Sequence, residues 1–348
     1  MTKAIKESAD NIITLDKTLI NESILSTGEF SSDGIYIKKY TPRRFDENTN
    51  NVEEIKKDSN KYITTLKKDG AEYSGMLNNI FQKEGYGLEK YTNNDKYFGQ
   101  YDSDMRNDNG IYFFKNEKNE ENNNIKSECY IGQWKNNLKD KYGVYLWIDE
   151  PENNFEFEKS NFDVYIGEFD EEKFIRGSYL TKKNEEFLVY HGNFDKGGKK
   201  SDNNAYFYSS KLNKVFHGEI KEDILLNGYL ANFDEEKDEI IELYFCEFNE
   251  DGNVKEIVEE KNLKLNEEEI LDEKKKIKNF RNILLEGDYF KKIYSKYKKI
   301  KDKVEKLDDL TQILENEETL GEIDKILNKF NKNNIYYNIE ENFFGRDI

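Results

Sequence analysis

One phrase returns along the middle of this chain and limits what the chain can fold into. It reads aromatic-x-Gly-x-aromatic: Tyr97-Phe-Gly99-Gln-Tyr101, Tyr130-Ile-Gly132-Gln-Trp134, Tyr165-Ile-Gly167-Glu-Phe169 and Tyr190-His-Gly192-Asn-Phe194. Looser copies are Tyr73-Ser-Gly75-Met-Leu77 and Phe216-His-Gly218-Glu-Ile220, and Tyr244-Phe-Cys246-Glu-Phe248 keeps both rings but loses the glycine. A second glycine follows 12 to 14 residues after the leading ring in five of the first six units (Gly87, Gly110, Gly143, Gly177, Gly228), each just before an apolar or aromatic run. Unit starts are 24, 33, 35, 25, 26 and 28 residues apart. The two long spacings contain hydrophilic stretches, 116–128 and 149–161, that read as insertions in surface loops. Self-similarity at a period in the middle twenties marks a repeat architecture.

Side chains alternate along a strand, so the first, third and fifth residues of the phrase share one face. A glycine between two rings leaves space there for a ring to lean into, and its recurrence signals close approach rather than strand propensity. The polar bridge Lys135–Asp140 supplies a turn, and Gly143-Val-Tyr145-Leu-Trp147 returns. Each unit is therefore a β-hairpin that cannot cover its aromatic face alone, and stacking of units completes it. The expected fold is mainly β with an α C-terminus: an elongated, twisted antiparallel sheet of tandem hairpins followed by a charged helical segment.

The pattern resembles the MORN (membrane occupation and recognition nexus) repeat family, whose unit reads Tyr-x-Gly-x-aromatic, then Gly-x-Gly, then aromatics. The resemblance covers 73–248, and Asp108 and Lys141 stand where the first glycine of the Gly-x-Gly pair belongs. It implies a non-catalytic scaffold or adaptor that binds a protein partner, a helix or an extended segment, along an aromatic-lined groove within a cytoskeletal, ciliary or membrane-associated assembly. The candidate partner-binding residues are Tyr73, Tyr97, Tyr101, Tyr112, Tyr130, Trp134, Tyr145, Tyr165, Phe169, Tyr190, Phe194 and Phe216. The structural glycines are Gly75, Gly99, Gly132, Gly167, Gly192 and Gly218.

Four segments follow from the pattern. Residues 1–60 form an N-terminal arm, with a degenerate capping hairpin at 24–48 as one reading and a linker over 49–60. Residues 61–253 form the repeat sheet. Residues 254–335 form a helical, charge-segregated region, and 336–348 a tail. After Gly252 the spacing becomes helical: Ile293, Tyr297, Ile300, Val304, Leu307 and Leu314 fall at steps of 4, 3, 4, 3 and 7. Residues 232–273 carry 17 acidic and 4 basic side chains, whereas 274–306 carry 13 basic and 4 acidic. Such a stripe buries against the chain's own sheet, or the segment docks on anionic lipid or an acidic partner through Lys291, Lys292, Lys298 and Lys299; it also offers a route to self-association.

Composition excludes some classes. A formal charge of -18 and 36% charged residues would suit disorder, but 24 Tyr and 23 Phe do not. The acidity disfavours nucleic acid. Two cysteines suit a reducing compartment, and with no apolar leader or spanning run the expected location is cytoplasmic. The two histidines, His191 and His217, occupy the same slot on the face opposite the rings and read as exposed sheet residues, not metal ligands. Gly197-Gly-Lys-Lys-Ser201 lacks the spacing of a phosphate loop and Asp102–Gly110 that of a calcium loop; both read as turns. No cofactor and no catalytic residue is expected.

Overall fold

The structure, a computed structural model, describes five strands between residues 12 and 68 and then residues 70–304, apart from short stretches of which 119–123, 152–159 and 286–293 are the longest. Residues 305–348 lie outside the described part, and with them most of the expected a/d stripe and the tail. The chain divides into two compact units. One comprises Met1–Lys115, Trp134–Leu138 and Asp302–Leu327; the other comprises Asn116–Gln133, Lys139–Lys301 and Asn328–Ile348.

In the first unit the strands are β1 (Ile12–Leu15), β2 (Ile35–Lys39), β3 (Arg43–Asp46), β4 (Asn51–Glu54), β5 (Tyr62–Lys68), β6 (Ala71–Leu77), β7 (Lys83–Lys90), β8 (Lys96–Asp102) and β9 (Met105–Phe113). β5 to β9 pair consecutively and antiparallel. β2 adds to β5 and β1 to β2. The strand at 35–39 thus continues the sheet, in line with the capping reading of 24–48. The linker reading of 49–60 is corrected, because β4 lies within it and pairs with β3.

In the second unit β10 (Glu117–Lys118) pairs with β11 (Asn124–Lys135), and β12 (Leu138–Pro151), β13 (Asn161–Asp170), β14 (Lys173–Lys183), β15 (Glu186–Asn193), β16 (Asp202–Ser209), β17 (Lys214–Lys221), β18 (Ile224–Phe233), β19 (Ile240–Phe248) and β20 (Val254–Glu259) follow as antiparallel neighbours. The insertion expected at 116–128 is partly strand, since β11 begins at Asn124. The boundary at 253 is corrected too: β20 pairs with β19 before the chain turns helical. Helix α1 (Glu267–Leu285) follows, started by a reciprocal cap in which the Asn266 side chain accepts from the Glu269 backbone N–H and the Glu269 carboxylate accepts from that of Asn266, both at 2.9 Å. Further helical residues lie between 294 and 304.

The hairpins turn without glycine. Ser103-Asp104, Asn136-Asn137, Glu171-Glu172 and Glu222-Asp223 all have positive φ at both positions, the type I′ pair that matches strand twist. The same backbone demand explains the place of the missing family glycine. Gly85, Asp108 and Lys141 have φ of 72°, 57° and 55°, so Lys141 occupies a left-handed conformation that costs a non-glycine residue ~1–2 kcal/mol.

Glycines face one another across the ladders. Gly75 pairs with Gly87, Gly87 with Gly99 and Gly99 with Gly110 in the first unit. In the second, Gly143 pairs with Gly167, Gly167 with Gly177 and Gly177 with Gly192; Ala205, Gly218, Gly228 and Cys246 continue the row beyond β15. The leading tyrosine of each phrase folds over this row. At Gly132 an added Cβ would lie 2.5 Å from the Tyr130 hydroxyl and 2.6 Å from the Gly143 Cα. The Tyr130 hydroxyl passes beyond the glycine and donates to the Gln133 carbonyl at 2.8 Å. Tyr73, Tyr97, Tyr165 and Tyr190 make the same bond to the carbonyl three residues on. The glycine is therefore a seat for its own unit's tyrosine, and the backbone bond satisfies a buried hydroxyl.

Candidate functional site

The sheet face that carries the leading rings was expected to be a groove, and its geometry differs from that. Tyr73, Tyr97, Tyr101, Tyr130, Trp134, Tyr145, Tyr165, Phe169, Tyr190 and Phe216 are all buried. Tyr112 and Phe194 are half-buried. Each leading ring is enclosed edge-on by the fifth-position ring of a following unit: Tyr73 by Tyr101 at 5.5 Å, Tyr97 by Trp134 at 5.5 Å, Tyr130 by Phe169 at 5.1 Å and Tyr165 by Phe194 at 5.5 Å. Such edge-to-face pairs add to area burial. The residues that sequence singled out do share one face, but mostly as its packed inner layer.

A third partner in this packing went unnoticed in the sequence. Seven or eight residues after the motif glycine stands a side chain that caps the rings: Lys83, Arg106, Lys139, Phe174, Lys200 and Leu225. The ladders place it opposite the fifth position, as Tyr101 with Arg106, Phe169 with Phe174 and Ile220 with Leu225. The Arg106 guanidinium lies 4.4 Å from the Trp134 ring centre and 5.0 Å from that of Tyr112. Lys139 lies 5.0 Å from Tyr145 and Lys83 4.9 Å from Tyr73. Phe174 stacks on Tyr165 at 3.9 Å. The cations are themselves paired, Lys139 with Glu172, Lys83 with Glu89, and Lys200 with Asp223 at 3.3 Å. The spacing was present in the sequence, hidden by the change between cationic and apolar residues.

What this face leaves accessible is an outer row on the return strands. Trp147 and Tyr179 are half-buried, as is Tyr112 in the first unit. Trp147 stacks on Tyr145 at 4.2 Å and lies 6.3 Å from Tyr179. Carboxylates fix the hydroxyls in this row: Tyr145 donates to Glu128, and Tyr112 to Asp95 at 2.8 Å. Burial and then the Asp163 carboxylate push the Tyr179 phenol up to about 12, so the phenol stays neutral and amphipathic at physiological pH.

Helix α1 lies against the opposite face of the second unit. Its buried residues Glu273, Ile277, Phe280, Arg281 and Leu284 form one helical stripe. Phe280 stacks on Tyr206 at 4.8 Å, and the Arg281 guanidinium lies 4.4 Å from the Phe233 ring and donates to Asn213 at 3.0 Å. This cover corrects the expectation of exposed histidines: His191 and His217 are 1% and 6% exposed. His217 stacks on Tyr206 at 4.0 Å, with Nδ1 on a Glu273 carboxylate oxygen and Nε2 2.7 Å from the Asn204 side-chain oxygen. His191 Nδ1 shares a hydrogen with the Ser178 hydroxyl at 2.8 Å. Both rings hold structure together.

The four candidate lysines are not brought together as a surface. Lys291 and Lys292 lie outside the described residues, Lys299 is exposed, and Lys298 lies 5.6 Å from the Tyr294 ring. Tyr294 and Tyr297 are buried. Burial pushes the Cys129 and Cys246 thiols up, which keeps them protonated. Residues 197–201 form a turn whose backbone N–H groups at Gly197 and Lys199 donate to the Asp195 carboxylate, a poor neighbour for phosphate. An open cleft of about 540 Å³ beside it is lined by Asn193, Asp195, Ser201, Asp202 and Glu219 among others. Its carboxylates accept backbone hydrogen bonds, as Asp202 does from Asn193 at 2.8 Å. Among the described residues no group of three or more potential ligands is placed to hold a metal ion, and no helix is long and apolar enough to cross a membrane.

Searches with the sequence find no matching family model and no matching curated protein.

Proposed function

We propose that this chain is a non-catalytic scaffold of the MORN-repeat kind that holds a protein segment, extended or helical, against the outer aromatic row. The observation that carries this reading is the half-exposed Trp147, stacked on Tyr145 and adjoining Tyr179 on a face whose inner rings are packed. Tryptophan and tyrosine held rigidly by neighbours make good anchors, because little side-chain freedom is lost on binding. The chemistry-bearing side chains support the same reading: both histidines are engaged in structural hydrogen bonds and both thiols are kept protonated by burial.

The binding row differs from the leading tyrosines, and the test uses that difference. The tagged full chain is cross-linked in cells, and Trp147→Ala, Tyr179→Ala and the exposed-site control Leu212→Ala are compared. A discrete partner or self-complex that is lost in the first two variants and kept in the control supports the reading. Equal recovery from all three chains overturns it. The lipid-adaptor alternative has less to carry it, because Tyr294 and Tyr297, which would be its interfacial anchors, are buried.

A further inference from the structure

The repeat grammar has an unfinished end. Within the sheet each leading ring is seated over a glycine and enclosed by the next unit's fifth-position ring, and Phe248 plays that part for Phe216 at 6.0 Å. The seventh unit has neither feature. Cys246 fills the glycine position and is 1% exposed, so the seat under Tyr244 is occupied. Tyr244 is half-buried, and its hydroxyl bonds the Glu242 side chain, which raises its pKa, where complete units use the carbonyl three residues on. The return strand β20 pairs with β19 alone among the described residues. On it, Val254 lies opposite Phe248 and Ile257 opposite Cys246, on the ring-bearing face, and they are 53% and 57% exposed.

We infer that the free edge of β20 is a docking site that takes one more β-strand in trans, from an extended segment of another polypeptide carrying aromatic residues at alternate positions and lysine or arginine between them. The aromatic requirement follows from the sheet itself: a further strand would place rings beside Ile257, Val254 and Tyr244, where each earlier unit receives a ring from its successor. Main-chain bonds to an unpaired edge supply the affinity in this mode, and side chains on one face supply the choice of partner. The basic requirement follows from charge. β19 and β20 together carry Glu242, Glu247, Glu256 and Glu259 against Lys255 alone. The same surplus disfavours a second copy, which would bring an identical acidic edge on a chain of net charge -18.

The surface is separate from the Trp147 row, so either reading can fail without the other. The test uses the full chain and the synthetic peptide Lys-Tyr-Lys-Val-Lys-Phe-Lys, with binding followed by titration and by backbone hydrogen exchange. The expected result is saturable binding that weakens with added salt and slows exchange within 254–259. Ile257→Lys or Val254→Lys should weaken binding about tenfold, as loss of one apolar side chain at an interface does. Both side chains are exposed, so the fold should tolerate lysine there, with an unchanged far-ultraviolet spectrum as the check. The double substitution Glu256→Lys with Glu259→Lys should weaken binding and flatten its salt dependence, while Trp147→Ala leaves it unchanged. No binding, protection confined to other strands, or a dimer of the chain that Ile257→Lys dissolves would each overturn the inference.

Discussion

Replacing Gly132 by alanine should unseat Tyr130. The new methyl carbon would stand 2.5 Å from the tyrosine hydroxyl and 2.7 Å from its Cζ, with the Gly143 Cα of the paired strand at 2.6 Å. All three distances are well inside contact, so either the ring leaves or the strands part. Leaving forfeits the hydroxyl bond to Gln133 and the edge-on contact with Phe169. These are worth ~1 kcal/mol each. Overpacking of the remaining contacts adds ~1–3 kcal/mol. Against this, alanine in a strand interior is ordinarily better than glycine by ~0.5–1 kcal/mol. The net expectation is a loss of roughly 2–4 kcal/mol, from the difference of these terms. Urea unfolding followed by circular dichroism and tryptophan emission measures it. Gly198→Ala is the control, with open space around it and a φ of 80°, and should lose only ~1 kcal/mol of backbone strain. In a Tyr130→Leu background the seat is empty, so Gly132→Ala should cost less than ~1 kcal/mol there, a coupling that a double-mutant cycle reads. A neutral or stabilising Gly132→Ala, or strict additivity with Tyr130→Leu, would refute the seat.

Other consequences are open to simple measurement. Lys141→Gly removes a left-handed lysine and should stabilise by ~0.5–1 kcal/mol, the relief of strain less the added unfolded-state entropy; an unchanged or lower midpoint would count against that backbone reading. Arg106→Ala strips the cap from Trp134 and Tyr112 and should cost ~1–2 kcal/mol with a red shift in tryptophan emission; emission that stays put would mean the guanidinium does not shield the indole. Glu273→Ala leaves His217 without its carboxylate, should cost ~3 kcal/mol and should speed amide exchange in α1 first; uniform exchange would show the pair does not hold the helix. The phenols of the sheet titrate above the usual tyrosine value of 10 because they are buried, so their stabilisation is complete below pH 10 and is lost as pH rises through the folded values. For Tyr179 that window runs from 10 to about 12. Absorbance at alkaline pH should therefore lag behind that of free tyrosine, and ionisation of all 24 tyrosines near 10 would contradict the burial.

How much could be read in advance depended on which interactions are local. The hairpins were legible because Tyr130, Gly132 and Trp134 alternate on one strand and Gly143 opens the next. The place of the leading rings was legible in part. Their shared face follows from alternation, but their burial depends on Trp134, Phe169 and Phe194 closing over the preceding units and on caps such as Arg106 and Lys139, contacts set by register. The turns at Asn136-Asn137 and Glu171-Glu172 carry no glycine, so composition did not announce their type I′ geometry. His191 and His217 were placed on the correct face yet read as exposed, because nothing local says that α1 returns to cover it. The stripe in that helix, Ile277, Phe280 and Leu284 at steps of 3 and 4, was available in the sequence and was passed over beside the longer run that begins at Ile293.

The central claim is that partners meet the outer row, not the leading tyrosines. A photo-reactive phenylalanine analogue placed at position 147, and in a second chain at the buried position 165, tests it most directly after irradiation in cells. The account predicts a discrete cross-linked partner from position 147 and none from 165. Equal cross-linking from both positions, or none from 147 with the fold intact, would contradict it.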